Sequence, residues 1–267
     1  MPDYQPIWLY AIPNDGLLRW YRKNSPASPW QGPKQVSFNW QNMIDVFPAG
    51  GNRFFSVWHN GDLLWYRHNG FNDGSEDWDI STPMGAGWNQ FSKRFSGNDG
   101  IVYAIQPDGS LLWHRYRNYR NGWPTDTWEG PKVVGSAWSH FTQVFSMGEG
   151  VIYAVKSDGT LLWYRHTGYQ DGTASWTGPK TVGSGWQQFS TILPVGGGVI
   201  LAVKSDGSIG TMLRYKHVNY LQGVSLTGKK LTAQMTALWE DPIEIGSGFF
   251  GFRQIFALLP ETTSDGP

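Results

Sequence analysis

Eight residues could carry a binding chemistry in this sequence: Asp77, Trp78, Trp88, Asp126, Trp128, Trp138, Trp176 and Trp186. The tryptophans stand beside loop-type segments, as in Asp77-Trp78, Asp126-Thr127-Trp128, Ser175-Trp176, Gly87-Trp88 and Gly185-Trp186. An indole next to a glycine-rich loop with carboxylate and amide neighbours suits a sugar. The apolar face of the sugar ring packs on the indole, while its hydroxyls meet polar side chains and free backbone groups. Large flat side chains that fill the space between packed sheets would show the same spacing, so core packing and ligand binding are both open readings here.

Other chemistries find less support. The histidines His68, His166 and His217 share a repeat position with Lys23 and Tyr116, so no ring of histidine ligands is assembled. Neither HExxH nor a cysteine-containing metal pattern occurs. The recurrent Asp-Gly pairs read as hairpin turns. A basic residue recurs at Arg22, Arg67, Arg115, Arg165 and Lys216, which reads as strand-end ion pairing, with an anionic-ligand role as the alternative. No Ser-His-Asp or paired-carboxylate arrangement stands out. Neither catalysis nor a cofactor is expected.

Charge and hydropathy narrow the partners. With 21 basic and 21 acidic side chains the formal charge is zero, which argues against nucleic acid, since phosphate binding needs accumulated positive charge. No apolar stretch approaches the roughly 18 residues that span a bilayer, so membrane insertion is not expected. The N-terminus lacks the basic start and apolar run of a secretory signal, which predicts a cytoplasmic location or export by another route. There is no cysteine, so the fold closes by hydrogen bonding and packing alone.

The elements that must position these residues are copies of one unit, best seen at 151–189. Four landmarks recur. The first is a turn, at Asp15-Gly16, Asn60-Gly61, Asp108-Gly109, Asp158-Gly159 and Asp206-Gly207. The second is a run like LLWYRH, ending at Lys23, His68, Tyr116, His166 and His217. The third is a Trp at 30, 78, 128, 176 and 239, and the fourth is GSGWxxF or a relative, with its aromatic at Trp40, Trp88, Trp138, Trp186 and Phe249. Successive third-landmark tryptophans are 48, 50, 48 and 63 residues apart, a period typical of propellers and other repeat arrays. Of the 16 tryptophans, 13 fall on these phases, and those of the LLWYRH run are read as core because they sit mid-strand.

Each unit offers four strand-like segments: VIYAV, LLWYRH, the stretch 176–182 and the stretch 189–193. The third holds Gly178-Pro179, which suggests an outer edge, since proline cannot donate to a central ladder. The chain begins in the VIYAV phase and ends, at 252–259, in the phase just before it. The two ends therefore complete one split blade. The expected fold is all-β: a five-bladed propeller of four-stranded antiparallel blades, forming one domain over 1–260. An insertion around 218–238 interrupts the fifth copy, and 261–267 is expected to be a disordered tail.

The GSGWxxFxxxF segment, the loop closing on Trp before it, the DGxLLWYRHxG run and the period near 48 together resemble the tachylectin-type β-propeller lectins. The resemblance covers the whole chain. It implies a five-bladed propeller that binds N-acetylated hexosamines, such as N-acetylglucosamine, in pockets between neighbouring blades, and the expectation is a monomeric or weakly associating lectin with several weak sites for glycans. Asp77-Trp78 and Asp126-Thr127-Trp128 approximate the family's acidic-amide-Trp loop. Ser175-Trp176, Pro29-Trp30 and Leu238-Trp239 lack the acid, and Asn39-Trp40 and Phe249 depart from the Gly-rich segment, so fewer than five working sites are expected. A non-catalytic protein-interaction scaffold is the alternative, because fold alone does not fix function.

Overall fold

The computed structural model describes residues 4–79, 81–123, 128–204, 209–223 and 238–262. These residues form five antiparallel four-stranded sheets. Blade 1 contains β1 (Ile7–Ile12), β2 (Leu18–Lys23) and β3 (Gln31–Ser37). Blade 2 contains β4 (Met43–Gly50), β5 (Arg53–Trp58), β6 (Leu63–Arg67) and β7 (Thr82–Gly85). Blade 3 contains β8 (Lys93–Asn98), β9 (Ile101–Ile105), β10 (Leu111–Arg115) and β11 (Glu129–Gly135). Blade 4 contains β12 (Gln143–Gly148), β13 (Val151–Val155), β14 (Leu161–His166) and β15 (Trp176–Gly183). Blade 5 contains β16 (Phe189–Gly196), β17 (Val199–Lys204), β18 (Thr211–His217) and β19 (Trp239–Gly246), and β20 (Gln254–Ala257) returns to blade 1.

The unit around β13 shows why the sequence folds this way. Its β-branched and aromatic residues are buried along the whole strand, as a sheet covered on both faces requires. The turn that follows has Gly159 at φ 82, a left-handed conformation that only glycine adopts without strain. The Asp158 carboxylate accepts the Thr160 amide at 2.9 Å and fixes that turn. Register then runs from Val151 opposite Arg165 to Val155 opposite Leu161. β15, with Pro179, forms the edge of its sheet, as the sequence predicts.

Ring closure also follows the sequence. β20 pairs with β1, Leu9 opposite Ala257 and Ile12 opposite Gln254, so both termini build blade 1. The innermost strands β4, β8, β12, β16 and β20 touch in a closed circle. Closure leaves no inner edge strand exposed to pair with another chain. Beyond β20 the chain crosses the rim: the Leu259 carbonyl accepts the Gly51 amide at 2.9 Å and the Pro260 carbonyl accepts Asn98 Nδ2 at 2.7 Å. Glu261 pairs with Arg53, and the Thr262 hydroxyl meets Asp99. The rest of the expected tail, 263–267, lies outside the described residues, as do 224–237 of the insertion and the hairpin at 205–208.

The blades are joined by the tryptophans of the LLWYRH phase. Trp20, Trp65, Trp113 and Trp163 are fully buried, and each donates its indole N–H to a loop carbonyl of the next blade. The acceptors are Phe71, Tyr119 and Tyr169 at 2.7 Å and Tyr220 at 2.6 Å. The recurrent arginines reach the same loops. Arg22 and Arg115 donate to the carbonyls of Asn72 and Gln170 at 2.6 Å, and Arg165 to that of Leu221 at 3.1 Å. Strand-end ion pairing, expected at all these positions, holds at Arg67 with Asp79 and at Lys216 with Glu240. Elsewhere the arginine meets a loop carbonyl, because the tight loop turns its C=O groups toward the preceding blade.

Candidate functional site

The third- and fourth-landmark aromatics meet at the blade interfaces. The fourth-landmark residue opens each new blade, and its backbone amide donates to the glycine carbonyl of the preceding blade's hairpin. The pairs are Trp40 to Gly16, Trp88 to Gly61 and Trp138 to Gly109 at 2.9 Å, Trp186 to Gly159 at 3.0 Å, and Phe249 to Gly210 at 3.1 Å. In the first four copies the first and fourth landmarks of the sequence are thus one hydrogen-bonded unit, while in the fifth Gly210 is the partner and Asp206-Gly207 lies outside the described residues. Trp88, Trp138 and Trp186 are buried, at 6%, 5% and 4% exposure.

The third-landmark tryptophans sit beside them and are half-buried. Trp78 donates Nε1 to the Val36 carbonyl at 2.7 Å, and its ring stacks on His68 with centroids 4.1 Å apart. Trp128 donates to the Met84 carbonyl at 2.9 Å and packs against Trp88 at 5.3 Å and Tyr116 at 5.4 Å. Trp176 donates to the Val134 carbonyl at 2.6 Å, stacks on His166 at 4.5 Å and meets Trp138 at 5.7 Å. Trp239 repeats the arrangement with Val182, His217 and Trp186. Each indole N–H is spent on the preceding blade, so the ring surface is what these residues can offer a ligand.

The structure therefore brings Trp88 to Trp128 and Trp138 to Trp176, pairs that the sequence separates by about 40 residues. It adds two partners outside the expected set: Trp40 lies 6.4 Å from Trp78, and Trp239 lies 5.5 Å from Trp186. Polar groups flank the half-buried rings. Asp77 is exposed, its carbonyl accepts the Asn69 amide at 2.8 Å, and Asn69 Nδ2 donates to Asp79 at 2.9 Å. At blade 4 a polar cavity of about 360 Å³ lies against Thr167, Gln170, Asp171 and Ser175, the last being the neighbour of Trp176. Asp126 lies outside the described residues.

Behind the aromatic wall lies a set of contacts that sequence reasoning missed. Tyr10, Tyr103 and Tyr153 hold the Nδ1 atoms of His68, His166 and His217 in the following blade at 2.6, 2.7 and 2.6 Å. The Nε2 atoms of His68 and His166 each lie 2.7 Å from a loop carbonyl, of Ser75 and Thr173. A carbonyl only accepts, so Nε2 carries the proton and the tyrosine hydroxyl donates to Nδ1. Burial holds all three histidines below the ordinary value, His217 at about 4, and does the same to His114, also at about 4. These rings are neutral props beneath the stacked indoles. The signal was present in the sequence as a paired exchange: Phe55 replaces the tyrosine where Tyr116 replaces the histidine, and Leu201 does so where Lys23 stands.

A profile of the tachylectin family matches residues 72–241. No curated protein matches in sequence. Among solved structures, Prp20p from Saccharomyces cerevisiae is 13% identical over 90% of this chain and 61% of its own, with a TM-score of 0.43. YCF48 from Cyanidioschyzon merolae is 14% identical over 85% and 66%, with a TM-score of 0.36. Regucalcin, a calcium-binding protein from Agrobacterium tumefaciens, is 12% identical over 95% and 79%, also at 0.36. The chain spans about three fifths of the length of the first of these.

Proposed function

The chain belongs to the tachylectin family, and on that premise we propose that it is a lectin that binds N-acetylated hexosamines, with N-acetylglucosamine as the leading ligand, in the clefts between blades. The observation that carries this reading is the repeated half-buried indole with its N–H already satisfied, at Trp78, Trp128 and Trp176, with polar loop groups at the side of Trp78 and Trp176. A ring face without a free donor suits the apolar side of a pyranose, and the loops supply donors and acceptors for its hydroxyls and acetamido group.

Magnitudes favour several weak sites over one strong one. Covering about 100 Å² of sugar face contributes roughly 2.5 kcal/mol at about 25 cal/mol per Å². After the costs of binding, a single site has a Kd in the range of roughly 0.01 to 1 mM. Repetition around one ring raises avidity by about 10²- to 10⁴-fold on a surface that presents many sugars.

Intrinsic tryptophan fluorescence, titrated with N-acetylglucosamine and with glucose as control, tests the proposal in wild type and in Trp128→Ala. A saturable change with the acetamido sugar alone, reduced in the variant, is the expected result. No response up to about 50 mM, well past the range of ordinary weak binding, refutes the simple-sugar reading.

A further inference from the structure

The fivefold pattern breaks at one seam. In blades 1 to 4 the third strand presents a buried Trp and, two residues on, an arginine, each donating to a loop carbonyl of the next blade. Between blade 5 and blade 1 both sides of this contact change. β18 has Arg214 at the Trp position and Lys216 at the arginine position. Blade 1 answers with a shorter loop: six residues separate Lys23 from Trp30, where nine separate His166 from Trp176. The loop 24–29 has no counterpart of the five-residue segment, Gly168-Tyr169-Gln170-Asp171-Gly172 in blade 4, whose equivalents cover the other indoles. The segment 4–6 comes up beside Arg214 instead, with the guanidinium 5.6 Å from the Tyr4 ring centroid.

A cavity of about 180 Å³ opens where the fifth indole would have been, lined among others by Tyr4, Gln5, Ile7, Val199, Arg214 and Lys216. Arg214 is 8% exposed. Its Nη1 lies 3.4 Å from Glu240, while its Nε and the Tyr4 hydroxyl are buried without a partner among the described residues. Lys216 reaches the same Glu240 at 3.0 Å. Two cations thus share one carboxylate, which is 44% exposed on the far side of the pair. Two cations, one of them buried, that have a single shared carboxylate between them stand to gain from a second anion. The cavity is smaller than the roughly 300 Å³ of a drug-sized site, which limits the ligand to about one ring.

We propose that this seam pocket binds the carboxylate of an acidic monosaccharide, a hexuronate. Arg214 and Lys216 hold the carboxylate, the Gln5 amide meets ring hydroxyls, and Ile7 and Val199 pack on the apolar face. The choice of a sugar as carrier of the carboxylate rests on the lectin reading, whereas the anion site stands on the seam geometry and shares no residue with the indole clefts.

Calorimetric titration of the full chain with glucuronate tests the pocket, with glucose, acetate and N-acetylglucosamine in parallel. Glucuronate is expected to bind at least about tenfold tighter than glucose, the difference that one charge-assisted contact makes, and tighter than acetate by what the ring contacts add. Because Arg214 is buried, Lys216→Gln and Glu240→Gln carry the test. The first weakens glucuronate roughly tenfold, and the second tightens it several-fold by removing the competing internal carboxylate. Glucuronate no better than glucose, or indifferent to Glu240→Gln, overturns the site, and acetate equal to glucuronate overturns its sugar part. N-acetylglucosamine binding unchanged in both variants supports a pocket separate from the clefts. If that sugar fails everywhere while glucuronate binds, the lectin reading of the clefts falls and the seam pocket stands.

Discussion

Tyr103 of blade 3 donates its hydroxyl to Nδ1 of His166 in blade 4 at 2.7 Å, and this buried bond joins the blades directly beneath the Trp176 ring. Removing the donor leaves a buried imidazole nitrogen unsatisfied. Tyr103→Phe should therefore destabilise the protein by about 1–3 kcal/mol, measurable as a fall in the urea midpoint. Replacing both partners, Tyr103→Phe with His166→Tyr, imitates the natural Phe55 and Tyr116 pair and should recover part of the loss. A double variant no more stable than the single one would show that the hydroxyl bond is not what couples these blades.

Stability should fall on mild acidification. His68, His114, His166 and His217 are held below the ordinary histidine value by burial, two of them at about 4. An unfolded histidine takes up its proton near pH 6.5, so between that pH and the depressed folded value the unfolded state binds more protons. The contribution is complete above pH 6.5 and is lost as pH falls toward 4. For His114 and His217 the loss at pH 5 is about 2 kcal/mol each. Thermal melts at pH 7.5, 6 and 5 should show a falling Tm, and His217→Gln should flatten the slope. A Tm that is constant from pH 7.5 to 5 would contradict neutral, buried imidazoles.

Gly172 shows how closely neighbouring blades approach. Its φ is 73, and a Cβ placed on it would lie 2.5 Å from Cε3 of Trp113 in the preceding blade. Gly172→Ala pays both for left-handed backbone and for displacing a buried ring, which should lower stability by roughly 2–4 kcal/mol. Gly197 offers a control, with φ 59 and nothing within 4 Å of its would-be Cβ. The alanine variant there should lose only the backbone part, about 1–2 kcal/mol. Equal losses at the two positions, read from denaturant unfolding, would mean that ring contact is not the constraint.

Most of the fold was legible because repetition multiplies weak local signals. A single Asp-Gly or a single LLWYRH run is ambiguous, but five copies in one order place the turns, the strands and the split blade together. Contacts across the copies were harder to see. Trp88 ends the second copy and Trp128 lies in the third, and nothing local says that the outer strand turns its first ring back onto the connector. The Tyr–His bonds lie between different copies and show in sequence only as a paired exchange, and Arg214 at a Trp position reads as a lapse in the motif until the shortened loop opposite it is seen.

The two classes of tryptophan separate the lectin reading from its alternative. Trp113 is fully buried and tied to the Tyr169 carbonyl, whereas Trp128 is half-buried at the blade interface. Trp113→Phe should cost stability, up to the roughly 3–5 kcal/mol known for truncating large core aromatics, and leave N-acetylglucosamine titration unchanged below the melt. Trp128→Phe gives up the bond to Met84, about 1 kcal/mol, and should reduce the number of sugar sites by one while the remaining sites keep their affinity. Stoichiometry from calorimetry on an oligovalent acetamido ligand reads this directly. Loss of sugar binding in Trp113→Phe but not in Trp128→Phe would move the site away from the clefts. Binding in neither variant nor wild type would favour a propeller that docks proteins on its rims.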